Sequence, residues 1–271
     1  MNENLTKLFD IDPYQLDRVS KENLLMKRLR ELEEIHQADS KAYSRLATAN
    51  IFQSNEMNKL SQVPFLPVQL FKTHELISID HAKVIKTLTS SGTTGQAVSK
   101  IYLDKETASL QTKALVKIVK TYLGAKRIPM IILDSKSIFK NPAQFSARGA
   151  GILGMSNFGR DHFYALDENM DIDLKGFIAW LKKYEGETKF MFGFTFMIWK
   201  YLYQQCLSSG LKLDLSNTLL FHSGGWKKLI EQSVSNQKFK DCLNEQFNMS
   251  QIHNFYGMVE SVGSIYIECK E

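Results

Sequence analysis

The chain has 271 residues, of which 44% are hydrophobic and 23% charged, enough to bury one large core or two small ones. That balance excludes a disordered chain, a collagen and a coiled-coil rod. The net charge is +5, but the lysines are scattered and form no basic stripe, so no nucleic-acid partner is expected. Cys206, Cys242 and Cys269 are far apart and form no CxxC pair, which excludes a disulfide framework and a zinc site. The polar start Met1-Asn2-Glu3-Asn4 is no signal peptide. The longest uncharged apolar run, residues 190–199, is too short and too glycine-interrupted to span a bilayer. The expectation is a cytoplasmic protein without a membrane span.

In chain order, residues 20–50 read as helix, with Leu25, Leu29 and Leu32 on one face and Ser20 near its start. Pro64 and Pro67 punctuate an extended segment around Phe65 and Val68. From residue 84 the pattern becomes short apolar strands alternating with amphipathic helices. Strands are expected at 84–89 and 101–103, then a helix capped by Asp104 that runs to Leu123 and stops at Gly124. Residues 130–133 form a buried-strand run, and Asn141-Pro142 opens a helix reaching about Gly154. A helix at 173–184 shows Leu174, Ile178 and Leu181 on one face. There follow a strand at 190–194, a helix at 195–208, a strand at 218–221 and helix over most of 226–247. Strands at 252–256 and 265–267 end the series. Asp134 ends a strand and is placed to cap a turn, and Cys269 is expected to pack as a small hydrophobe on a terminal strand. The alternation implies an α/β fold of mostly parallel sheets flanked by helices. The chain divides into an N-terminal helical segment, 1–60, and an α/β domain, 61–271.

The most informative segment is Ser90-Ser91-Gly92-Thr93-Thr94-Gly95-Gln96, between two strands. Glycines let backbone N–H groups converge on an anion, and hydroxyls add donors, which is the chemistry that holds a triphosphate. It is neither a Walker A loop, which needs Lys after its last glycine, nor a Rossmann GxGxxG. A polar hairpin turn has an equal claim on the segment taken alone.

Two later segments add to it. His222-Ser223-Gly224-Gly225-Trp226-Lys227 follows a strand, and a Gly-Gly pair at a strand's carboxyl end lets a flat ligand approach the backbone. Taken alone, that pair is better explained as a plain strand-to-helix turn. His222 reads either as a ligand contact or as a hydrogen-bonded structural imidazole. Tyr256-Gly257-Met258-Val259-Glu260 joins an aromatic ring to a carboxylate suited to a hard Mg²⁺ ion. A core aromatic and a solvated charge are the plain alternatives. Phe192, Phe194 and Phe196 alternate as in a core strand or an acyl tunnel. No Gly-x-Ser-x-Gly elbow marks a serine hydrolase.

Taken in this order, the three segments resemble the adenylate-forming superfamily, which includes acyl-CoA synthetases and peptide-synthetase adenylation domains. Within it the resemblance is nearest to the acyl-protein synthetases, the LuxE-like enzymes. The stretch from Pro64-Phe65-Leu66-Pro67-Val68 to Phe71-Lys72 is also similar to theirs. The resemblance implies the N-terminal portion of that fold, with ATP and Mg²⁺ used to convert a carboxylic acid, of the fatty class, to acyl-AMP. It assigns Ser90, Ser91, Gly92, Thr93, Thr94 and Gly95 to the ATP phosphates. His222, Ser223, Gly224, Gly225, Tyr256 and Gly257 go to the adenine and acyl pocket, and Glu260 to Mg²⁺. The chain departs from the pattern Gly-x-Pro-Lys where Gly95 is followed by Gln96-Ala97-Val98-Ser99-Lys100, with the Pro missing and the Lys displaced, and where Val259 replaces Thr. The family's ribose-binding aspartate, hinge, lid with its catalytic lysine and acyl-accepting cysteine would all follow Glu271, so no catalytic residue is assigned. Three expectations follow. The chain is half of a split enzyme completed by a second polypeptide carrying the lid or an acyl acceptor, or a nucleotide-binding scaffold without turnover, or a truncated relic.

Overall fold

The computed structural model describes residues 9–12, 14–49, 57–90, 97–139 and 147–269. The chain clusters into two compact units, residues 1–118 with 257–264 and residues 119–256 with 265–271.

The first unit begins with helices α1 (Arg18–Asp39) and α2 (Lys41–Thr48). One helix was expected here, and the chain makes two. Ser40 is extended at φ −110° and ψ 105°, and its side chain accepts the Tyr43 amide to start the second helix. A hydroxyl that competes for backbone donors ends one helix and caps the next. Asp17 caps α1 in the same way through the Ser20 amide at 2.9 Å. A 3₁₀ turn (Leu60–Gln62) and the short α3 (Leu70–Thr73) flank the irregular stretch that holds Pro64 and Pro67.

Strands β1 (Lys86–Thr89) and β2 (Lys100–Leu103) then pair antiparallel, Thr89 opposite Lys100. Helix α4 (Lys105–Leu123) follows as expected. The Asp104 carboxylate accepts the Thr107 amide at 2.7 Å, and this bond holds the Asp104 pKa below its ordinary value. Gly124, at φ +75°, ends the helix with its amide on Lys120 O at 2.9 Å. A left-handed residue at that place favours glycine. Asp104→Ala should therefore cost about 1 kcal/mol of stability, the usual worth of an N-cap. Urea melts check this, and an unchanged midpoint would show the cap to be redundant.

The second unit is a sheet with helices on both faces. In chain order it runs β3 (Ile128–Ser135), α5 (Ala147–Ser156), β4 (Gly159–Leu166), α6 (Leu174–Lys183) and β5 (Lys189–Phe194). Then come α7 (Thr195–Met197), which passes through a π-helical turn (Ile198–Tyr203) into α8 (Gln204–Ser208), and β6 (Thr218–Ser223). A 3₁₀ stretch (Lys227–Gln232), α9 (Asn236–Phe247), β7 (Gln251–Gly257) and β8 (Ile265–Ile267) complete it. The strand order is β4-β3-β5-β6-β7-β8, with β4 through β7 parallel. This is the α/β fold with a mostly parallel sheet that the alternation predicts.

Side-chain alternation decides the two faces. Ile131, Leu133, Met191, Leu220 and Ile252 pack with Ile198, Leu202, Phe239, Leu243 and Phe247 in one buried cluster. The opposite face carries Met130, Ile132, Phe190, Phe192 and Phe221, all fully buried. There Tyr122, in the last turn of α4, meets the Phe221 ring edge-on at 5.5 Å.

Four expectations need correction. β4 was not expected, because its first half, Gly159-Arg160-Asp161-His162, is mostly polar and exposed. As an edge strand it needs only one buried flank. The helix expected through 226–247 is interrupted, since Ser233 is extended and Ser235 caps a fresh helix by accepting the Lys238 amide. Phe196 lies in α7, not on the strand with Phe192 and Phe194. Cys269 is exposed and lies past the end of β8. The Asn141-Pro142 helix start lies outside the described residues. No helix among the described residues is long and apolar enough to cross a membrane.

Candidate functional site

The phosphate-binding expectation falls in the sequence between β1 and β2, mostly outside the described residues. Ser91, Gly92, Thr93, Thr94, Gly95 and Gln96 lie outside the described residues. The frame that carries them is described. The Ser90 amide donates to Ser99 O at 3.1 Å, and the Ser99 amide donates to Ser90 Oγ at 2.9 Å. Ser90 thus closes the base of the loop beyond β1, and Lys100 is the first, exposed residue of β2. Ser99 Oγ is buried without a hydrogen-bond partner among the described residues.

Glu260 sits half-buried in the turn after β7. Its turn is closed by the Ser261 amide on Met258 O at 3.1 Å and the Ser264 amide on Ser261 O at 3.0 Å. Gly263, at φ +78°, approaches helix α4 so closely that a Cβ there would stand 2.7 Å from Gln111 Cα. Any larger residue would push the turn away from that helix.

In the second unit the Gly-Gly and tyrosine segments come together. β6 and β7 are parallel neighbours with His222 opposite Asn254. That register sets the turn after Ser223 beside the carboxyl end of β7, where Tyr256 and Gly257 lie. Gly224 and Gly225 are exposed, and Tyr256 is 59% exposed. Gly224 has φ +84°, a conformation that favours glycine. A flat ring could therefore lie against open backbone with an aromatic side chain at hand.

His222 is turned the other way. It shares a face with Leu220, so its ring packs on Phe239 at 4.6 Å and is 1% exposed. The Thr195 hydroxyl lies 2.9 Å from His222 Nδ1 and donates to Ser223 O at 3.2 Å. A hydroxyl has one proton to give. With that proton on Ser223 O, Nδ1–H is the donor toward Thr195, and Nε2 is left bare with no partner among the described residues. Burial lowers the His222 pKa to about 4, so the imidazole is neutral at pH 7. His222 and Thr195 together hold the backbone just before Gly224.

Three residues at this carboxyl edge escaped sequence reasoning in the parts they play. Asp134, 1% exposed, lies with its Oδ2 2.9 Å from Arg148 Nε. The two atoms are not aligned for a hydrogen bond, so the link is electrostatic. Asp134 Oδ1 instead accepts the Ser135 amide at 2.7 Å, a bond inside β3 in place of the turn cap expected of it. Burial raises the Asp134 pKa, and Arg148 opposes that rise. Nothing in the local sequence marks Arg148, since its partner Asp134 is fourteen residues away. Thr195 had one available signal, a hydroxyl immediately after a strand.

Among the described residues no group of three or more His, Cys, Asp or Glu is placed to hold a metal ion. Glu260 makes no hydrogen bond or ion pair among them, so its carboxylate is free to act as a hard oxygen ligand. A lone carboxylate fits Mg²⁺, which takes one or two protein oxygens and fills its shell with phosphate and water.

The chain is similar to known proteins in sequence pattern and in fold. The family model described as acyl-protein synthetase, LuxE, matches residues 2–271. A structure of 2-hydroxyisobutyryl-CoA ligase, in complex with 2-HIB-AMP and CoA in the thioesterification state, superposes with a TM-score of 0.62 at 15% identity, covering 91% of this chain and 51% of the ligase. The chain thus spans about half the length of that enzyme. An adenylation domain of a keto acid-selecting NRPS module bound to keto acyl adenylate gives a TM-score of 0.39 at 10% identity, over 65% of this chain and 29% of that one. McyG A-PCP complexed with phenylalanyl-adenylate gives 0.40 at 15% identity, over 94% and 38%. The likeness of fold rests on the ligase. Comparison with curated proteins gave no match.

Proposed function

The chain belongs to the LuxE acyl-protein synthetase family, and we propose that it activates a carboxylic acid with ATP to form an acyl-adenylate. The observation that carries this reading is the pairing at the ends of β6 and β7, where the open Gly224-Gly225 backbone lies beside the exposed Tyr256. The ligase of similar fold was solved with 2-HIB-AMP, an adenylate, which supports it.

In the proposed reaction a carboxylate oxygen of the acid attacks the α-phosphorus of ATP. The bond from that phosphorus to the β-phosphate oxygen breaks, and pyrophosphate leaves with the electron pair. The protein's part is to position the partners and neutralise developing charge. Amides and hydroxyls of Ser91, Gly92, Thr93, Thr94 and Gly95, on the hairpin closed by Ser90, would hold the leaving pyrophosphate. Adenine would lie between Tyr256 and the backbone of Ser223, Gly224 and Gly225, with Gly257 leaving room beside the ring. His222, neutral and buried, would steady this turn from behind through Thr195. Glu260 would hold Mg²⁺, which when bound supplies positive charge to the phosphates. A cytoplasmic setting fits the use of ATP and the reduced thiols of Cys206 and Cys242.

The test is ATP·Mg²⁺ binding by calorimetry and thermal shift. At a hundredfold excess over Kd, ATP should stabilise the chain by about 2.7 kcal/mol. Gly95→Ala and Glu260→Ala should each remove most of that gain while leaving the unliganded melt near wild type. A chain that gains nothing from nucleotide in any form would be a scaffold, and the reading would fall.

A further inference from the structure

The topology of the second unit has a switch point at a definite place. The connection leaving β3 runs through α5 to β4 on one side, and that leaving β5 runs through α7 and α8 to β6 on the other. Where adjacent parallel strands send their connections in opposite directions, the carboxyl ends part and ligands bind. Asp134 and Ser135 end β3 at this point, and Gly193 and Phe194 end β5. Arg148, near the start of α5, reaches Asp134 there.

The two members of this pair are buried unequally. The Asp134 side chain is 1% exposed, whereas that of Arg148 keeps 29% of its surface open. Hiding a carboxylate costs several kcal/mol, and an apolar contact would fasten α5 to the sheet as well or better. A buried carboxylate behind a partly open guanidinium has another effect. It fixes the guanidinium in place while part of the arginine side chain stays open. Among the described residues Nη1 of Arg148 reaches only the Met197 sulfur, at 4.0 Å, a weak acceptor.

The surroundings connect this guanidinium to the nucleotide turn. One helical turn beyond Arg148, Gly151 faces β5, and a Cβ there would stand 3.4 Å from Phe194 Cζ and 3.5 Å from Phe192 Cζ. On its other side the same Phe194 ring would meet a Cβ at Gly224 at 3.1 Å. A single aromatic side chain therefore bridges from the Gly-Gly turn to α5. An acid whose carboxylate reacts near Gly224 would extend along Phe194 toward Arg148.

We propose that Arg148, positioned by Asp134, determines specificity by binding a hydrogen-bond-accepting group at the far end of the acid. The acid is then a functionalised one, bearing a second carboxylate or a hydroxyl, in place of the plain fatty chain that the family resemblance implies. A guanidinium fork matches a carboxylate with two parallel bonds and a hydroxyl with one. This inference rests on the acyl-adenylating reading above.

The experiment is thermal shift of the full chain with ATP·Mg²⁺ and three acids of equal length, hexanoate, ω-hydroxyhexanoate and adipate. The functionalised acids should bind at least about tenfold tighter than hexanoate, as expected of a site built to hydrogen-bond its ligand. Preference for adipate identifies the carboxylate, and preference for ω-hydroxyhexanoate the hydroxyl. The double variant Asp134→Asn/Arg148→Met removes both charges with little change of shape, and it should lose the discrimination while keeping the ATP shift. Arg148→Lys, which retains the charge without the fork, should lose most of it too. Hexanoate binding as tightly as the other acids in the wild type would overturn the proposal, whatever the variants do. So would discrimination that survives both variants, or a loss of ATP binding in them, which would place Arg148 on the nucleotide. An intact ATP shift without discrimination removes this inference alone, whereas no ATP shift at all removes the adenylating reading with it.

Discussion

Phe221→Ala is expected to lower the unfolding free energy by about 3–5 kcal/mol, the cost of emptying a buried phenylalanine site. Phe221 is fully buried in β6, between strands that pair with it on both sides. Its ring meets Tyr122 at 5.5 Å, Phe190 at 5.4 Å and His253 at 6.0 Å, all edge-on. These contacts come from α4, β5 and β7, so the cavity could not be filled by one neighbour's movement. Paired strands hold their spacing, and the loss should fall near the upper part of that range. The effect bears on function because Phe221 precedes His222 and the Gly-Gly turn on the same strand. Urea unfolding followed by tryptophan fluorescence measures it, and a loss below about 1 kcal/mol would mean that the site collapses onto itself.

Acid should unfold this protein through His222. The group is neutral in the folded state, with a pKa of about 4, against an ordinary value of 6.5. Between those values the unfolded chain binds a proton that the folded chain refuses, so stability is full above pH 6.5 and falls as the pH drops toward 4. The shift corresponds to about 3 kcal/mol, at roughly 1.4 kcal/mol for each pH unit. The cause is mainly burial against Phe239, with Lys240 and His253 adding to it and Glu268 opposing. Urea midpoints for the wild type and His222→Gln at pH 7, 5.5 and 4.5 isolate the contribution. The gap between the two proteins should change across this range in favour of the variant. Parallel curves would show that the imidazole is not the group that titrates.

The turn at Gly224 and the hairpin at Ser90 differ in how far local chemistry explains them. Gly224 is legible as glycine because its backbone is left-handed at φ +84°, and the residue type alone signals such a place. Ser90 closes its hairpin by exchanging bonds with Ser99. The serine-rich composition suggested an anion site there, but not which hydroxyl serves the frame.

By itself the sequence determined what short-range periodicity and capping chemistry can carry. It announced the α/β alternation, the cap at Asp104 and stop at Gly124, and the order of the serine-threonine-glycine, Gly-Gly and Tyr-Gly segments. Each depends on residues within a few positions of one another. Only the tertiary structure decided matters that depend on a distant partner. β4 is a strand because β3 offers it an edge, despite its polar first half. His222 points into the core because strand parity puts it on the face that α9 covers. Asp134 and Arg148 become a pair because the crossover from β3 returns α5 to the carboxyl edge. A side chain's type is written locally, but its neighbours are chosen by sheet order and register, which no window of a few residues contains.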